Sequence, residues 1–511
     1  MQTVLHYLPI ISIAILISVA VAILAIRSLR PNFGFSWLIA AIVAIVTWLM
    51  FLLSRLDVPH STIIATWRMD TLYIGAPTLV LDEISWPFTL TLATLLLAVI
   101  LSDVARPSEQ DWWDGAGCMF MTAIGIFSVM AGDPITLLWS WVAMDVYELL
   151  LLIKLSGKTG IQQNVVGMIS FRIGGIILYL LGGGSGETQI LAASTRLGSL
   201  FYNDNLQIKR GFGTLARLVA PASSLVLIAH VAVVGVSEST LGIFLPIVVF
   251  LSVVTGLSWA NAKTEKEGFP YWVSGITCLA IASALSVQPY ASLAWGIVML
   301  LSGGVVFLYS TRLRYMILLP ILGVITLSGA PFSPAWDIGL LYNGPFTVYN
   351  ILFLIAHSTF LFGYIRHALR SGENPTGVER GVALVYFWGL LLLPLTHLLI
   401  GLWSKPQISQ DSTLLFPIEP KYGLTYWSGV LAVILALVWI GIWRMHIRLP
   451  EWLVRIRIVR ISFSGLTSMV SAMYRLMNGI VNFFSIVIEG EGGLLWTLLF
   501  LVLILAFFIQ G

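Results

Sequence analysis

Apolar residues run through this chain in long stretches separated by short polar turns. The stretches fall at 8–26, 36–54, 88–101, 116–131, 135–153, 165–181, 211–236 and 241–261. More follow at 271–285, 293–309, 315–342, 348–365, 382–402, 427–443 and 494–509. One bilayer crossing takes about 20 mostly apolar residues, so the pattern predicts about 14–16 crossings. All are expected to be helices, because open strands cannot satisfy their backbone in lipid. The predicted fold is an all-α polytopic membrane protein.

Three stretches break the rhythm. Residues 55–86 are rich in Thr, Tyr, Ile and Val, are interrupted by Gly75 and Pro77, and predict a short β-hairpin. The glycine run at 182–184 and the polar residues up to Arg210 read as a loop. Beyond Trp452, apolar residues recur every three or four positions, from Ile456 and Val459 through Phe463, Leu466 and Val470 to Phe484. That spacing is one face of a long amphipathic helix. Arg448, Arg455, Arg457 and Arg460 at its start place it along the cytoplasmic membrane surface, against lipid headgroups. A helix of this length suits a brace across neighbouring subunits, and a plain surface anchor is the alternative.

Prolines mark two expected helix breaks. Pro221 sits in Leu215–Ser224, and Pro331 with Pro334 in Ser328–Asp337. Proline removes a backbone donor and clashes with the preceding turn, so each helix is expected to unwind there. Paired interrupted helices point to an ion path at mid-membrane. Arg217 and Asp337 lie beside the two breaks. Arg27 and Arg30 after the first stretch set that turn in the cytoplasm and the N-terminus outside. The first stretch is too long for the core of a cleavable signal and is followed by no small-residue cleavage site.

Composition agrees with the pattern. Of 511 residues, 58% are hydrophobic and 10% charged, against about 25% charged in soluble proteins. A formal net charge of +3 gives no reason to expect a nucleic-acid partner. Cys118 and Cys278 have no metal-ligand spacing and make no disulfide framework. There is neither a cysteine cluster for iron–sulfur ligation nor a glycine loop for phosphate.

The buried charges carry the chemistry. Asp145 and Glu148 lie inside the stretch 135–153, three residues apart and so on one helix face. A carboxylate at that depth costs roughly 3 kcal/mol or more and faces protein or water, not lipid. Arg172 in the following stretch is a candidate partner. Two acids and a base on adjacent helices are what a proton or ion path needs, and equally what a packing salt bridge needs.

Several short motifs, in order, resemble the antiporter-like membrane subunits of respiratory complex I, shared with Mrp-type cation/proton antiporters and membrane-bound hydrogenases. The long L-type subunit is the nearest likeness. Leu81-Asp-Glu-Ile-Ser-Trp-Pro-Phe88 resembles the family's entry to its third helix, and Asp133 with Trp141 resembles the run before its Trp-Glu. Phe171-Arg-Ile-Gly174 resembles Asn-Arg-Val-Gly-Asp. Gly213-Thr-Leu-Ala-Arg217 resembles Gly-Ala-x-x-Lys-Ser, with Arg217 at the family's intramembrane lysine. His230 falls near the family's His-Ala-Ala-Thr-Met histidine. Glu265-Lys266 with Tyr271 and Ser274 resembles Asp-Leu-Lys-Arg-x-Leu-Ala-Tyr-Ser, and Gly329-Ala-Pro-Phe-Ser333 resembles Gly-Leu-Pro-Pro-Phe-Ser-Gly-Phe. The lateral helix and last crossing are also an L-type feature.

The resemblance implies two antiporter-like halves with broken helices, at 111–262 and 263–402, preceded by N-terminal helices (1–110) and followed by the lateral helix and last crossing (403–511). It implies a subunit of a proton-translocating NADH:quinone oxidoreductase in a bacterial-type inner membrane, surrounded by other membrane-arm subunits. NADH, FMN, iron–sulfur clusters and quinone are then expected on other subunits and no cofactor on this chain. The expected proton or ion pathway comprises Asp145, Glu148, Arg172, Arg217, His230, Lys266, Asp337 and His357, with Arg217 pairing an acid of the fifth stretch. An Mrp-type antiporter or an ion-coupled module for inorganic-carbon uptake is the alternative. The chain departs from the family where its charge relay should be. Val142 stands at the family's glutamate, Gly296 at its central lysine, and Asp337 alone remains near the second break.

Overall fold

A computed structural model describes residues 2–30, 33–63, 77–105, 113–156, 163–182, 184–202, 210–309, 314–370, 379–403 and 423–444. The expected lateral helix at 452–484 and last crossing at 494–509 lie outside the described residues.

Among the described residues there are fifteen α-helices and two short strands. The chain begins with α1 (Gln2–Leu29) and α2 (Ser36–Ser54), then β1 (His60–Ile63) and β2 (Thr78–Leu81). It continues with α3 (Ser85–Asp103), α4 (Asp114–Val129), α5 (Pro134–Ser156), α6 (Gln163–Leu181), α7 (Gly186–Gly198) and α8 (Arg210–Val234). The rest comprises α9 (Glu238–Asn261), α10 (Glu265–Leu285), α11 (Pro289–Leu308), α12 (Leu318–Ser328), α13 (Val348–Ala368), α14 (Arg380–Trp403) and α15 (Leu424–Arg444). Eleven of these helices are long and apolar enough to span a membrane, and α4, α6 and α12 are shorter apolar helices. The expected all-α polytopic architecture is therefore present.

The strands form the expected hairpin, antiparallel, with His60 opposite Leu81 and Ile63 opposite Thr78. The hairpin is extended by the turn after α4, where Val80 N–H donates to Met130 O and Gly132 N–H to Thr78 O. Asp133 locks this corner. Its carboxylate accepts the backbone N–H groups of Ile135, Thr136 and Thr78 and so caps α5. Burial opposes ionisation of Asp133, but the bonds from Thr136 and Thr78 outweigh it and hold the carboxyl below its usual range.

α3, α10 and α11 are buried along almost their whole length, whereas α1, α2, α9 and α15 each expose an apolar side. Polar positions on the inner helices form bonds within and between helices. Thr94 on α3 donates to Leu90 O and lies 3.1 Å from Thr396 Oγ1 on α14, and Trp48 of α2 donates to Thr94. In lipid, where apolar burial between helices gains little, such bonds and close packing hold helices together.

Two expectations need correction. The polar stretch after Gly184 is not a loop, since α7 occupies it. Ser185 accepts the N–H of Thr188 at the start, and buried Ile190, Ala193 and Leu197 give it an apolar face. Nor does α8 unwind at Pro221; the helix runs through it. A proline is tolerated in a membrane helix when neighbouring groups re-satisfy the freed backbone. The second break is real. α12 stops at Ser328, Gly329 adopts the left-handed conformation with φ 58°, and only turns and a 3-10 segment (Trp336–Tyr342) follow before α13.

Candidate functional site

Asp145 lies at mid-length of α5, with Glu148 one turn on, and both face α6 and α7. Arg172 of α6 donates to Asp145 at 3.0 Å and pairs with Glu148 at 2.6 Å, so the expected partner bridges both acids. A second arginine, Arg196 of α7, grips Asp145 in bidentate fashion at 2.9 and 2.8 Å. Side-chain exposures are 18% for Asp145 and 4–5% for the other three. Two carboxylates and two guanidiniums thus form a closed, charge-neutral cluster between three helices.

The cluster is itself braced. Arg172 Nε donates to Ser199 Oγ, and Arg196 to the carbonyl of Arg172. The Arg196 guanidinium also stacks over Trp141, 4.3 Å from the ring centroid. Trp141 Nε1 donates to Ser223 Oγ of α8 at 2.9 Å, next to the proline that α8 carries. Beside the arginines lies a small cleft lined by Arg172, Arg196, Ser199, Ala220, Pro221 and Ser224. Proline at 221 places no N–H on this wall, and two guanidiniums and two hydroxyls give the cleft polar sides.

Arginine keeps its proton at any physiological pH, and its fork matches a carboxylate bidentately. The cluster therefore fixes charge between the three helices and holds the carboxylates in ion pairs. Sequence reasoning missed Arg196, because hydropathy averaged its helix into a loop. The signal available was a capping serine followed by apolar residues at helical spacing around a single arginine.

The other expected residues are dispersed. Arg217 sits on α8 with its guanidinium 5.5 Å from the ring centroid of Phe269 on α10. His230, near the end of α8, places Nε2 2.8 Å from Asp82 Oδ2 and Nδ1 3.0 Å from Val226 O. Both ring nitrogens face oxygen atoms that can accept a hydrogen bond. Asp82 meanwhile accepts the N–H groups of Ile84 and Ser85 at the entry to α3. Lys266 is exposed in the first turn of α10. Asp337 lies in the 3-10 segment after the second break.

His357 of α13 is fully buried and its Nε2 lies 2.9 Å from Leu327 O, a carbonyl in the last turn of α12. The ring thus satisfies one of the orphan acceptors that a helix end leaves. The edge of Trp295 packs against it with ring centroids 5.0 Å apart. Gly296, at the position aligned with the family's central lysine, is closed off: a Cβ added there would meet Phe88 Cζ at 2.6 Å. An aromatic ring from α3 occupies the space that a side chain at 296 would need.

No family model matches the chain, and no curated protein does. Solved structures do. A chain of the Mrp complex from Dietzia sp. DQ12-45-1b superposes over 98% of this chain with a TM-score of 0.68 at 12% identity. This chain spans 62% of that one. A chain of the membrane-bound sulfane sulfur reductase, an archaeal respiratory membrane complex, is similar over 97% of this chain, with TM-score 0.59 and 13% identity, and is covered in full. A chain of respiratory complex I from Thermus thermophilus matches 85% of this chain, with TM-score 0.54 and 16% identity, and is also covered in full. The chain shares the fold of these membrane-complex proteins.

Proposed function

We propose that the chain is an antiporter-like membrane-arm subunit of a proton-translocating complex of the NADH:quinone oxidoreductase type, seated in a bacterial-type inner membrane. In this reading it scaffolds its neighbours and presents fixed charge to them, and its second half does not carry a continuous proton path. The redox cofactors belong to other subunits. The observation that carries the reading is the clamp of Asp145 between Arg172 and Arg196, with Glu148 paired to Arg172. A relay needs a base that can release its proton, as a buried lysine can, and arginine effectively cannot. Phe88 packed at Gly296 supports the same conclusion for the second half.

Purification of the tagged chain from its native membrane tests the assignment. Co-purification of a hydrophilic arm carrying flavin and iron–sulfur clusters is the expected result. The Mrp-type reading is favoured by the superposition on the Dietzia chain over 98% of the residues. It would replace the first reading if only further membrane subunits came with the chain and no redox arm did.

A further inference from the structure

We propose that His6, Asp57 and His60 form a binding site for one divalent transition-metal cation of the Zn²⁺ class. His6 lies in the first turns of α1, Asp57 in the 3-10 turn after α2, and His60 opens β1. One ligand atom from each lies within 4.8 Å of the other two. Nδ1 of His6 is 3.4 Å and Nδ1 of His60 is 3.7 Å from Asp57 Oδ2. Ligands about 2.1 Å from a tetrahedral zinc stand about 3.4 Å apart, so both separations fit two edges of one coordination shell.

The polar groups satisfy one another only in part: His60 Nδ1 lies 2.8 Å from the backbone O of Asp57, a contact it gives up when it turns its lone pair to the cation. Asp57 Oδ2, which faces both Nδ1 atoms, is buried and accepts no hydrogen bond. The His60 side chain is 6% exposed, against 33% for His6 and 25% for Asp57. Buried polar atoms in native folds are normally paired, so an orphaned carboxylate oxygen between two imidazoles calls for a missing partner. Two imidazoles and a carboxylate are the donor set of zinc, copper and nickel, and too nitrogen-rich for calcium or magnesium. The two rings pack against each other with centroids 4.8 Å apart. The open fourth position falls to water. A cation here would tie the amino-terminal turns of α1 and the 3-10 turn after α2 to the start of β1.

The full-length protein, purified with a tag free of histidine and stripped with chelator, is titrated with Zn²⁺ by calorimetry. Cu²⁺ is used as a spectroscopic probe. We expect one ion per chain, and an electron paramagnetic resonance spectrum with hyperfine coupling to two nitrogens. His6→Ala and His60→Ala should each weaken Zn²⁺ binding by about tenfold or more, since even supporting residues around a metal contribute that much. Asp57→Asn should do the same with both nitrogen couplings kept. Should His60→Ala fail to fold, the wild-type spectrum and the more exposed His6→Ala decide the matter. Zn²⁺ binding equal in the wild type and His6→Ala, or a copper spectrum without two nitrogens, overturns the proposal.

Discussion

Arg196 holds both oxygens of Asp145, with its Nη1 2.9 Å from Oδ2 and its Nη2 2.8 Å from Oδ1. The pair joins the middle of α5 to the last turn of α7 and is shielded by Trp141. Breaking a buried pair by removing one partner typically costs about 3–5 kcal/mol, because the other charge stays buried. Asp145→Asn is therefore expected to lower the thermal unfolding temperature of the purified protein strongly. Arg196→Lys should also lower it, since an ammonium cannot reproduce the two-point grip. A variant as stable as the wild type in either case would show that the cluster carries no structural weight.

The space at Gly296 gives a second prediction. Gly296→Ala forces a methyl group against Phe88 and should destabilise the protein by about 1–3 kcal/mol, the usual cost of overpacking. Adding Phe88→Leu should recover part of that loss, because the two positions share one volume. Denaturation midpoints of the two single variants and the double variant measure the coupling. Simple additivity would mean that the ring yields without strain.

Transport is the third. On the proposed reading, reconstituted complex carrying Asp337→Asn should keep its proton-to-electron stoichiometry with electron transfer intact, since Phe88 fills the space beside Gly296 and Trp295 packs against His357. A lowered stoichiometry at unchanged electron transfer would show that the second half conducts.

Acid dependence follows from Asp82. Burial favours its neutral form, but the hydrogen bond and charge of His230, then the N–H and hydroxyl of Ser85, bring it from 3.8 down to about 2. A carboxyl depressed by folding binds fewer protons in the native state than in the unfolded one. Its contribution to stability is present above the ordinary carboxylate pKa and is lost as pH falls from there through about 2. Asp82→Asn should therefore be less stable than the wild type near neutrality, and the gap should narrow across that window. Unfolding temperatures of the two proteins at a series of pH values check this; a gap that widens on acidification would contradict the assignment.

The sequence determined the class of the protein and most of its elements. Apolar runs of bilayer length can end only as helices, and the hairpin between α2 and α3 showed in Thr, Tyr, Ile and Val broken by Gly75 and Pro77, because strand-favouring and turn residues act locally. The acids at 145 and 148 and the base at 172 were legible for a related reason: a charge inside an apolar run is conspicuous, and its cost demands a partner on a neighbouring helix. The break after Ser328 was legible as well, from glycine and prolines in close succession. Only the tertiary structure decided the rest. Hydropathy averages over a window, so α7 vanished into a loop and Arg196 with it, although this residue sets the character of the cluster. Pro221 looked like Pro331 along the chain, yet α8 passes through one while α12 ends before the other, because packing, not the proline alone, decides whether freed backbone groups are re-satisfied. Gly296 read as a missing lysine; that Phe88 fills its place is a contact between helices far apart in sequence, which no local pattern encodes.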